Sequence, residues 1–599
     1  MAIEPAEIDL DTDDRDWDDW VSASRTRNWL DDDPLLDWLR RYGKDHGFVP
    51  DDELPGYDPR TSMRDFVLEQ GKRFEDGVMG LIRQGVATTR IGEGWQDARD
   101  PAKAAATIEA MRTGVPVIEQ AVLHDPISRT YGVADLLVRS DHLDELVPDS
   151  ISEAEAYRGA PGIGAPNFHY RVVDIKFRTL DLVAGGAAGG GLKAYMAQVW
   201  IYNEALSRAL GMTPSASYLL GRNWTQGKHR GDSCLDGLAR VDHDRFLGKV
   251  GPSLRAASLE AVNWMRRVRT EGADWQVLPT PSVPELYPHA RHAMDAPWHT
   301  AKMQIAHQLA ELTLLPRMNP ARRRDAHAHG LLRWDDPRVS AAGLGIDDEG
   351  GRLCDAVLAA NRAAAPTLNP IRITRATTWR TPAPMEFFVD FETVSNMGDD
   401  FSTLPEVGGQ PLIFQVGCGW MDGERWVFEQ WTADHLAEAD EASIIDRWML
   451  AMHHHLGARG LAWDKVRIYH WSPAEQSMLV TAYNSARERH PERNWPELPW
   501  FDLLMELARE EPVTVTGAFN FGLKSIAKGM HAAGMIETTW TDGPTDGLGA
   551  MIGAWWCDAE ATRTGVTLPE VELMQEIGRY NEVDCRSMAE ILEWLRNNR

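Results

Sequence analysis

The residues best suited to chemistry in the first half of the chain are three carboxylates and one lysine. Asp174 and Lys176 stand two apart in HYRVVDIKFR, so on a β-strand both side chains project from one face. Asp135 lies among apolar neighbours in TYGVADLLVRSD, and Glu75 lies in the helical pattern MRDFVLEQGKRFEDGVMGLI. Carboxylates at this density suit Mg²⁺ or Mn²⁺, and an adjacent lysine can orient or deprotonate water. The sequence therefore predicts a metal site for phosphodiester cleavage.

A surface ion pair is the ordinary explanation of Asp-x-Lys in a strand. Here Asp174 follows the apolar Val172 and Val173, and Asp135 lies inside GVADLLV. Carboxylates in such runs are seldom buried without a partner or a metal. This context favours the metal site over the surface pair.

A helical pattern, GLKAYMAQVWIYNEAL, follows the Asp-x-Lys strand and places Gln198 and Tyr202 on one face. With GKRFE around Glu75, this order resembles the RecB-like branch of the PD-(D/E)XK nucleases over roughly residues 20–225. The resemblance implies that the three carboxylates and Lys176 build the metal site. It also implies that Gln198 and Tyr202 line this site near the DNA.

The segment VSASRTRNWLDDDPLLDWL resembles the opening S-x-S segment of that branch. In its iron–sulfur members a cysteine precedes the proline, whereas here Asp33 precedes Pro34, and only Cys234 remains of the later cysteine cluster. We therefore expect no iron–sulfur cluster. The five cysteines form no C-x-x-C pair, so we expect them to be reduced and mostly buried.

A second acidic group lies in the C-terminal part. MEFFVDFET puts Asp390 and Glu392 on one face of an apolar strand, and PLIFQVGCGW and ERWVFEQWTA complete a predicted three-strand meander. GRYNEVDCRSM puts Tyr580 and Asp584 one helical turn apart. Acid clusters at the ends of an α/β sheet suggest paired metals.

This order is similar to that of the DnaQ-like exonucleases of the RNase H-like fold, called DEDD after their four acidic ligands. The resemblance implies that Asp390, Glu392 and Asp584 bind metal and that Tyr580 orients water. The family's second motif usually reads H-N-x-x-F-D, but this chain has HWSPAE. His470 keeps the histidine position, near the substrate, and Glu475 stands where a metal-binding Asp is typical.

The longer Glu475 side chain changes the reach to a site where about 1 Å matters. Asp502 in WFDLLMEL is an alternative supporting residue, although it could equally cap a helix. The triple His453, His454 and His455 is better explained as an exposed helix end than as a metal site.

The net charge of the chain, −28, opposes nonspecific affinity for nucleic acid. A nuclease must therefore concentrate its cations locally, and Arg322–Arg324 or the group Arg372, Arg375 and Arg380 could do so, unless these are solvated faces. No apolar run approaches the roughly 18 residues of a membrane span. The acidic start lacks a secretory pattern, so we expect a cytoplasmic protein with no membrane contact.

The predicted fold class is α/β in four segments. They are an acidic tail at 1–20, a RecB-like PD-(D/E)XK nuclease domain at 21–225, a mainly helical connector at 226–384 and an RNase H-like DEDD domain with a mixed sheet at 385–599. The nearest approach to a phosphate-binding G-x-x-x-x-G-K-[ST] loop is GAFNFGLKS, which has Leu523 at the lysine position. We therefore expect no ATP site, and any helicase partner would be a separate chain.

The sequence thus predicts a Mg²⁺- or Mn²⁺-dependent nuclease with two sites that acts on DNA in processing, repair or defence, with exonuclease favoured over endonuclease action. An RNA-processing exonuclease is an alternative, because no motif reads the 2′-hydroxyl. A nucleic-acid-binding scaffold with one inactive site is a further alternative.

Overall fold

A computed structural model describes residues 17–248, 251–375, 377–472, 478–540 and 547–599. The chain forms two compact units, each of mixed α/β structure with a mixed sheet, as expected from the sequence. Unit 1 comprises the described residues up to Val49 with Val67–Pro288 and Asp399–Gly408. Unit 2 comprises Pro50–Phe66, His289–Gly398 and Gly409–Arg599.

The unit boundaries differ from the four predicted segments. The predicted connector, 226–384, is shared between the units, which change over at Pro288. Two short segments, Pro50–Phe66 and Asp399–Gly408, belong to the unit other than that of their chain neighbours. Such long-range membership has no periodic signal in the sequence.

Unit 1 is built on a nine-stranded sheet. Its strands are β1 (Val21–Ser22), β2 (Thr88–Arg90), β3 (Val117–Asp125), β4 (Thr130–Arg139), β5 (Tyr170–Val183), β6 (Ala187–Ala188), β7 (Ala216–Gln226), β8 (His229–Arg230) and β9 (Ala239–Asp242). Strands β3, β4 and β5 pair antiparallel, and β7 joins β5 in parallel. The central strand β5 therefore lies between β4 and β7.

The helices of unit 1 cover this sheet. They are α1 (Arg27–Leu30), α2 (Leu35–Tyr42), α3 (Met63–Gly85, of which the first four residues count with unit 2), α4 (Pro101–Arg112), α5 (Leu143–Leu146), α6 (Glu153–Ala156), α7 (Lys193–Leu210) and α8 (Leu254–Glu271). Phe74 and Val78 of α3 pack with Val173 and Ile175 of β5 in one apolar core. Because side chains alternate along a strand, Asp174 and Lys176 project to the other face.

Unit 2 contains a five-stranded sheet in the order β13-β12-β11-β14-β15 and a two-stranded pair of β10 with β16. The strands are β10 (Leu368–Asn369), β11 (Met385–Val394), β12 (Leu412–Asp422), β13 (Arg425–Thr432), β14 (Val466–His470), β15 (Trp500–Asp502) and β16 (Thr514–Val515). Strands β11, β12 and β13 form the predicted antiparallel meander, while β14 and β15 continue in parallel with β11.

The helices of unit 2 pack on both faces of the five-stranded sheet and around the β10–β16 pair. They are α9 (His299–Gln308), α10 (Pro320–Ala328), α11 (Asp348–Asn361), α12 (Glu438–Ala458), α13 (Met478–Arg489), α14 (Leu523–Ala532), α15 (Gly547–Thr564) and α16 (Glu572–Asn598). Phe387 and Val389 of β11 lie in one apolar core, and Phe388 lies in another with residues of α14 and α16. Asp390 and Glu392 share the Phe388 face by strand alternation.

All five cysteines are buried and free, as predicted from their spacing. In the described part of the chain, no helix combines the length and the apolar character needed to cross a bilayer.

Candidate functional site

The first candidate cluster forms where β4 meets β5. Their register pairs Leu136 with Val173, which places Asp135 beside the next residues of β5. The backbone N–H of Ile175 donates to Asp135 Oδ2 at 2.7 Å. Asp135 is therefore held against the strand segment that carries Asp174 and Lys176.

Asp174 is a buried carboxylate, only 1% exposed. The Lys176 ammonium contacts it as an ion pair and also lies 5.5 Å from the centroid of the Tyr195 ring. Within the described residues, neither oxygen of Asp174 accepts a hydrogen bond of adequate geometry. A buried carboxylate with unsatisfied lone pairs is what a cation site requires.

Glu75 reaches this cluster from α3 and accepts a hydrogen bond of 2.5 Å from Gln120 Nε2. Gln120 stands opposite Asp135 in the β3–β4 register, since Glu119 pairs with Leu136 and Ala121 pairs with Ala134. Its φ of 49° is a left-handed value that is rare for a residue with a side chain. The sequence reading missed Gln120, whose only signal is a polar side chain in the apolar run PVIEQAVLHD.

Burial raises the pKa of Glu75 and holds the pKa of Asp135 well above its ordinary value, and the charge of Asp174 raises both further. For Lys176, burial disfavours the ammonium, but Asp174 and Asp135 outweigh it and raise the pKa. Lys176 is therefore a fixed cation near neutral pH. This charge state suits contact with phosphate or orientation of water rather than removal of a proton from it.

Gln198 and Tyr202 lie together on α7, and Gln198 Nε2 donates to the Tyr202 hydroxyl at 3.0 Å. Tyr202 packs so closely on Gly132 of β4 that a Cβ there would lie 2.5 Å from Tyr202 Cε1. Burial raises the pKa of Tyr202, and the charge of Asp174 adds to this. The structure therefore brings the predicted helix pair beside the acids of the first cluster.

A cavity of about 1280 Å³ in unit 1 opens onto this cluster and is lined by Glu75, Asp135, Gln198 and Tyr202. Seven cationic side chains also line it: Arg25, Arg40, Arg41, Lys72, Arg90, Arg99 and Arg269. Of the arginines proposed from the sequence, Arg323 is instead buried in an ion pair with Glu311 in unit 2. The acidic chain thus concentrates cations around the first cluster.

The second candidate cluster joins β11 to α16. Asp390, Glu392 and Asp584 each offer an oxygen, and these atoms lie within 4.8 Å of one another. Within the described ranges, these are the residues that meet this criterion for a metal-binding group of three. The sequence predicted all three as ligands.

Asn581 lies between the strand acids and was missed by the sequence reading. Its Nδ2 is 3.1 Å from Asp390 Oδ2 and 3.4 Å from Glu392 Oε1. Asn581 packs on Gly417 of β12, where a Cβ would lie 1.6 Å from Asn581 Oδ1. The available signal was its position three residues before Asp584, on the same helical face.

Burial raises the pKa of Asp390 to about 7. It also holds the pKa values of Glu392 and Asp584 well above their ordinary range, and the Asp390 charge raises each of them further. Three buried carboxylates cannot all ionise cheaply without a cation. The second cluster therefore has the electrostatic character of a metal site.

Tyr580 lies one residue before Asn581 on α16, and the Lys524 ammonium lies 4.3 Å from the centroid of its ring. Lys524 comes from the GAFNFGLKS segment and was not selected from the sequence. No short motif marks it, because it reaches Tyr580 from a separate helix, α14.

His470 ends β14 and is buried, with Nδ1 3.2 Å from Ser472 Oγ. Burial lowers its pKa to about 4, so the ring is neutral near pH 7. Asp502 Oδ1 accepts from the backbone N–H groups of Leu504 and Met505 at 2.9 and 3.3 Å, which matches the helix-cap alternative. The predicted ligand Glu475 lies outside the described residues.

Comparison with known proteins gives no assignment: no family model, no curated protein and no solved structure matches this chain.

Proposed function

We propose that the chain is a metal-dependent nuclease that hydrolyses DNA phosphodiester bonds at two separate sites, one in each unit. The observation that carries this proposal is the triad of Asp390, Glu392 and Asp584, whose oxygens lie within 4.8 Å. Unit 1 would be the PD-(D/E)XK nuclease and unit 2 the RNase H-like exonuclease. The antiparallel β11–β12–β13 meander continued by parallel strands supports the second assignment.

Both clusters fit a hard divalent cation. Their donors are carboxylate oxygens, the class that Mg²⁺ and Mn²⁺ prefer. At the first cluster the buried Asp174 has unsatisfied oxygens, and Asp135 and Glu75 would complete the set. At the second cluster the triad would hold the cation. When bound, such a cation lowers the pKa of water and stabilises charge on a phosphoryl oxygen.

At the first site the chain's own groups would handle the phosphate. Lys176 keeps its charge beside Asp174, so it can stabilise the negative charge that develops on the phosphoryl oxygens. The cations around the cavity can bind the sugar-phosphate backbone despite the overall negative charge of the chain. The Gln198–Tyr202 pair adds polar groups on one wall.

At the second site the chain supplies a fixed carboxylate geometry. Asn581 donates to both strand acids and so sets the spacing of Asp390 from Glu392. Asp584 reaches the same point from α16. These contacts preorganise the ligand oxygens, as two-cation phosphodiester cleavage requires.

The proposal is tested with end-labelled single- and double-stranded DNA, and with matched RNA, in Mg²⁺ or Mn²⁺. Wild type should cleave DNA, and Asp174→Asn combined with Asp390→Asn should lower cleavage by about 100-fold or more. A circular DNA separates exonuclease from endonuclease action. Preferential cleavage of RNA would support the RNA-processing alternative, and binding without metal-dependent cleavage would support the scaffold.

A further inference from the structure

The Lys524 side chain sits on an aromatic platform next to the second acid cluster. Its ammonium lies 4.3 Å from the Tyr580 ring centroid and 5.9 Å from the Trp540 ring. Lys524 is the second residue of α14, and its side chain is half-buried. Two rings thus hold the cation in place by cation–π attraction, which does not neutralise its charge.

The platform faces the acids because of helix geometry. Tyr580 and Asp584 are four residues apart on α16 and share a face, where neighbouring Cβ atoms lie about 5–6 Å apart. Asn581, next to Tyr580, contacts Asp390 and Glu392. The ammonium above Tyr580 therefore lies beside the triad, and its charge opposes the burial-driven rise in the pKa of each of the three carboxylates.

We propose that Lys524 is the cation of the second site that contacts a phosphate oxygen of the substrate, and that Tyr580 positions it through its ring. This inference rests on the function proposed for the second site. A lysine ammonium is a compact point charge with three donors, which suits a non-bridging phosphate oxygen. Divalent cations on the triad would repel the ammonium, so its attraction would be directed to the phosphate.

This role differs from the one that the DEDD resemblance implies for Tyr580, in which the residue orients water. If the ring is what matters, Tyr580→Phe keeps the function and Tyr580→Leu loses it. If the hydroxyl is what matters, the two variants are equally impaired. The Phe and Leu variants therefore separate the two roles at a single position.

The test measures ligand binding as well as activity. Calorimetry on the full chain gives Mn²⁺ affinity and then thymidine 5′-monophosphate affinity at saturating Mn²⁺. The binding lost in Asp390→Asn defines the share of the second site. The variants are Lys524→Met, Lys524→Arg, Tyr580→Phe and Tyr580→Leu. Lys528→Met is the matched control, because Lys528 is an exposed lysine one turn along the same helix.

We expect Lys524→Met to weaken nucleotide binding by about tenfold or more, as the loss of a charge-assisted hydrogen bond does. Mn²⁺ affinity and thermal stability should stay close to wild type. Lys524→Arg should recover part of the loss, Tyr580→Leu should resemble Lys524→Met, and Tyr580→Phe and Lys528→Met should bind as wild type.

Unchanged nucleotide affinity in Lys524→Met, or no nucleotide binding by wild type, overturns the proposal. Equal losses in Tyr580→Phe and Tyr580→Leu overturn the role of the ring. A loss of Mn²⁺ affinity or stability in Lys524→Met assigns Lys524 a structural role instead. If wild type cleaves no nucleic acid but nucleotide binding still depends on Lys524, the nuclease proposal fails while the anion site stands.

Discussion

Asn581 places its side-chain nitrogen 3.1 Å from Asp390 Oδ2, and this hydrogen bond joins the C-terminal helix α16 to the central strand β11. A neutral amide here satisfies a buried carboxylate without adding charge. A fourth carboxylate in its place would raise the repulsion among acids whose pKa values are already high.

We therefore predict that Asn581→Asp lowers the melting temperature of the metal-free protein and that Mn²⁺ recovers most of the loss, because a bound cation stabilises the folded state by mass action. Thermal unfolding with EDTA and with Mn²⁺ measures both effects. An unchanged melting temperature in EDTA would show that Asn581 is not surrounded by ionisable carboxylates.

Gly417 allows the close approach of α16 to β12. A Cβ at this position would lie 1.6 Å from Asn581 Oδ1, so Gly417→Ala should displace Asn581 and destabilise unit 2 by about 1–3 kcal/mol, as overpacking of a core does. The control is Gly457→Ala in α12, where a Cβ meets nothing within 4 Å. Urea unfolding should show a stability loss in the first variant and none in the second.

The two proposed sites should be separable. Lys176→Ala removes the cation beside Asp174 and should lower one cleavage activity by about 100-fold, while activity that depends on Asp390 remains. Lys228→Ala is a control, because it removes an exposed lysine from the same unit. Loss of both activities from Lys176→Ala, with normal folding, would indicate one composite function rather than two.

The raised pKa of Asp390 predicts a specific pH dependence of stability without metal. Burial raises this pKa from 3.8 to about 7, so between these values the folded state holds a proton that the unfolded state has lost. Stability must then fall as pH rises through this window, by on the order of 1 kcal/mol per pH unit.

Asp390→Asn removes this titration and should be more stable than wild type at pH 7 in EDTA, with the difference shrinking towards pH 4. Denaturant unfolding at several pH values measures it. A difference that grows as pH falls would contradict a buried, protonated Asp390.

The cations around the cavity should carry the salt dependence of DNA binding. Arg40→Gln with Arg41→Gln, in an Asp174→Asn background that blocks cleavage at the first site, should weaken binding and reduce the slope of log K against log salt by about 2, near one unit per phosphate contact. Arg338→Gln, an exposed arginine outside the cavity lining, is the control. An unchanged slope in the double variant would remove the cavity from the binding surface.

Local spacing determined much of the candidate chemistry. Asp174 with Lys176, and Asp390 with Glu392, share a face because strand side chains alternate, and Tyr580 shares one with Asp584 because a helix repeats every 3.6 residues. These relations hold wherever the element lies. The mixed α/β class and the meander of unit 2 followed from the same periodicities.

Tertiary structure alone decided which further residues join each site. Gln120 reaches Glu75 through a left-handed strand residue, Asn581 meets the strand acids where Gly417 lets α16 approach, and Lys524 reaches Tyr580 from another helix. The cavity likewise draws its cations from segments far apart in the chain. Such contacts depend on long-range packing, which sequence spacing within one element does not encode.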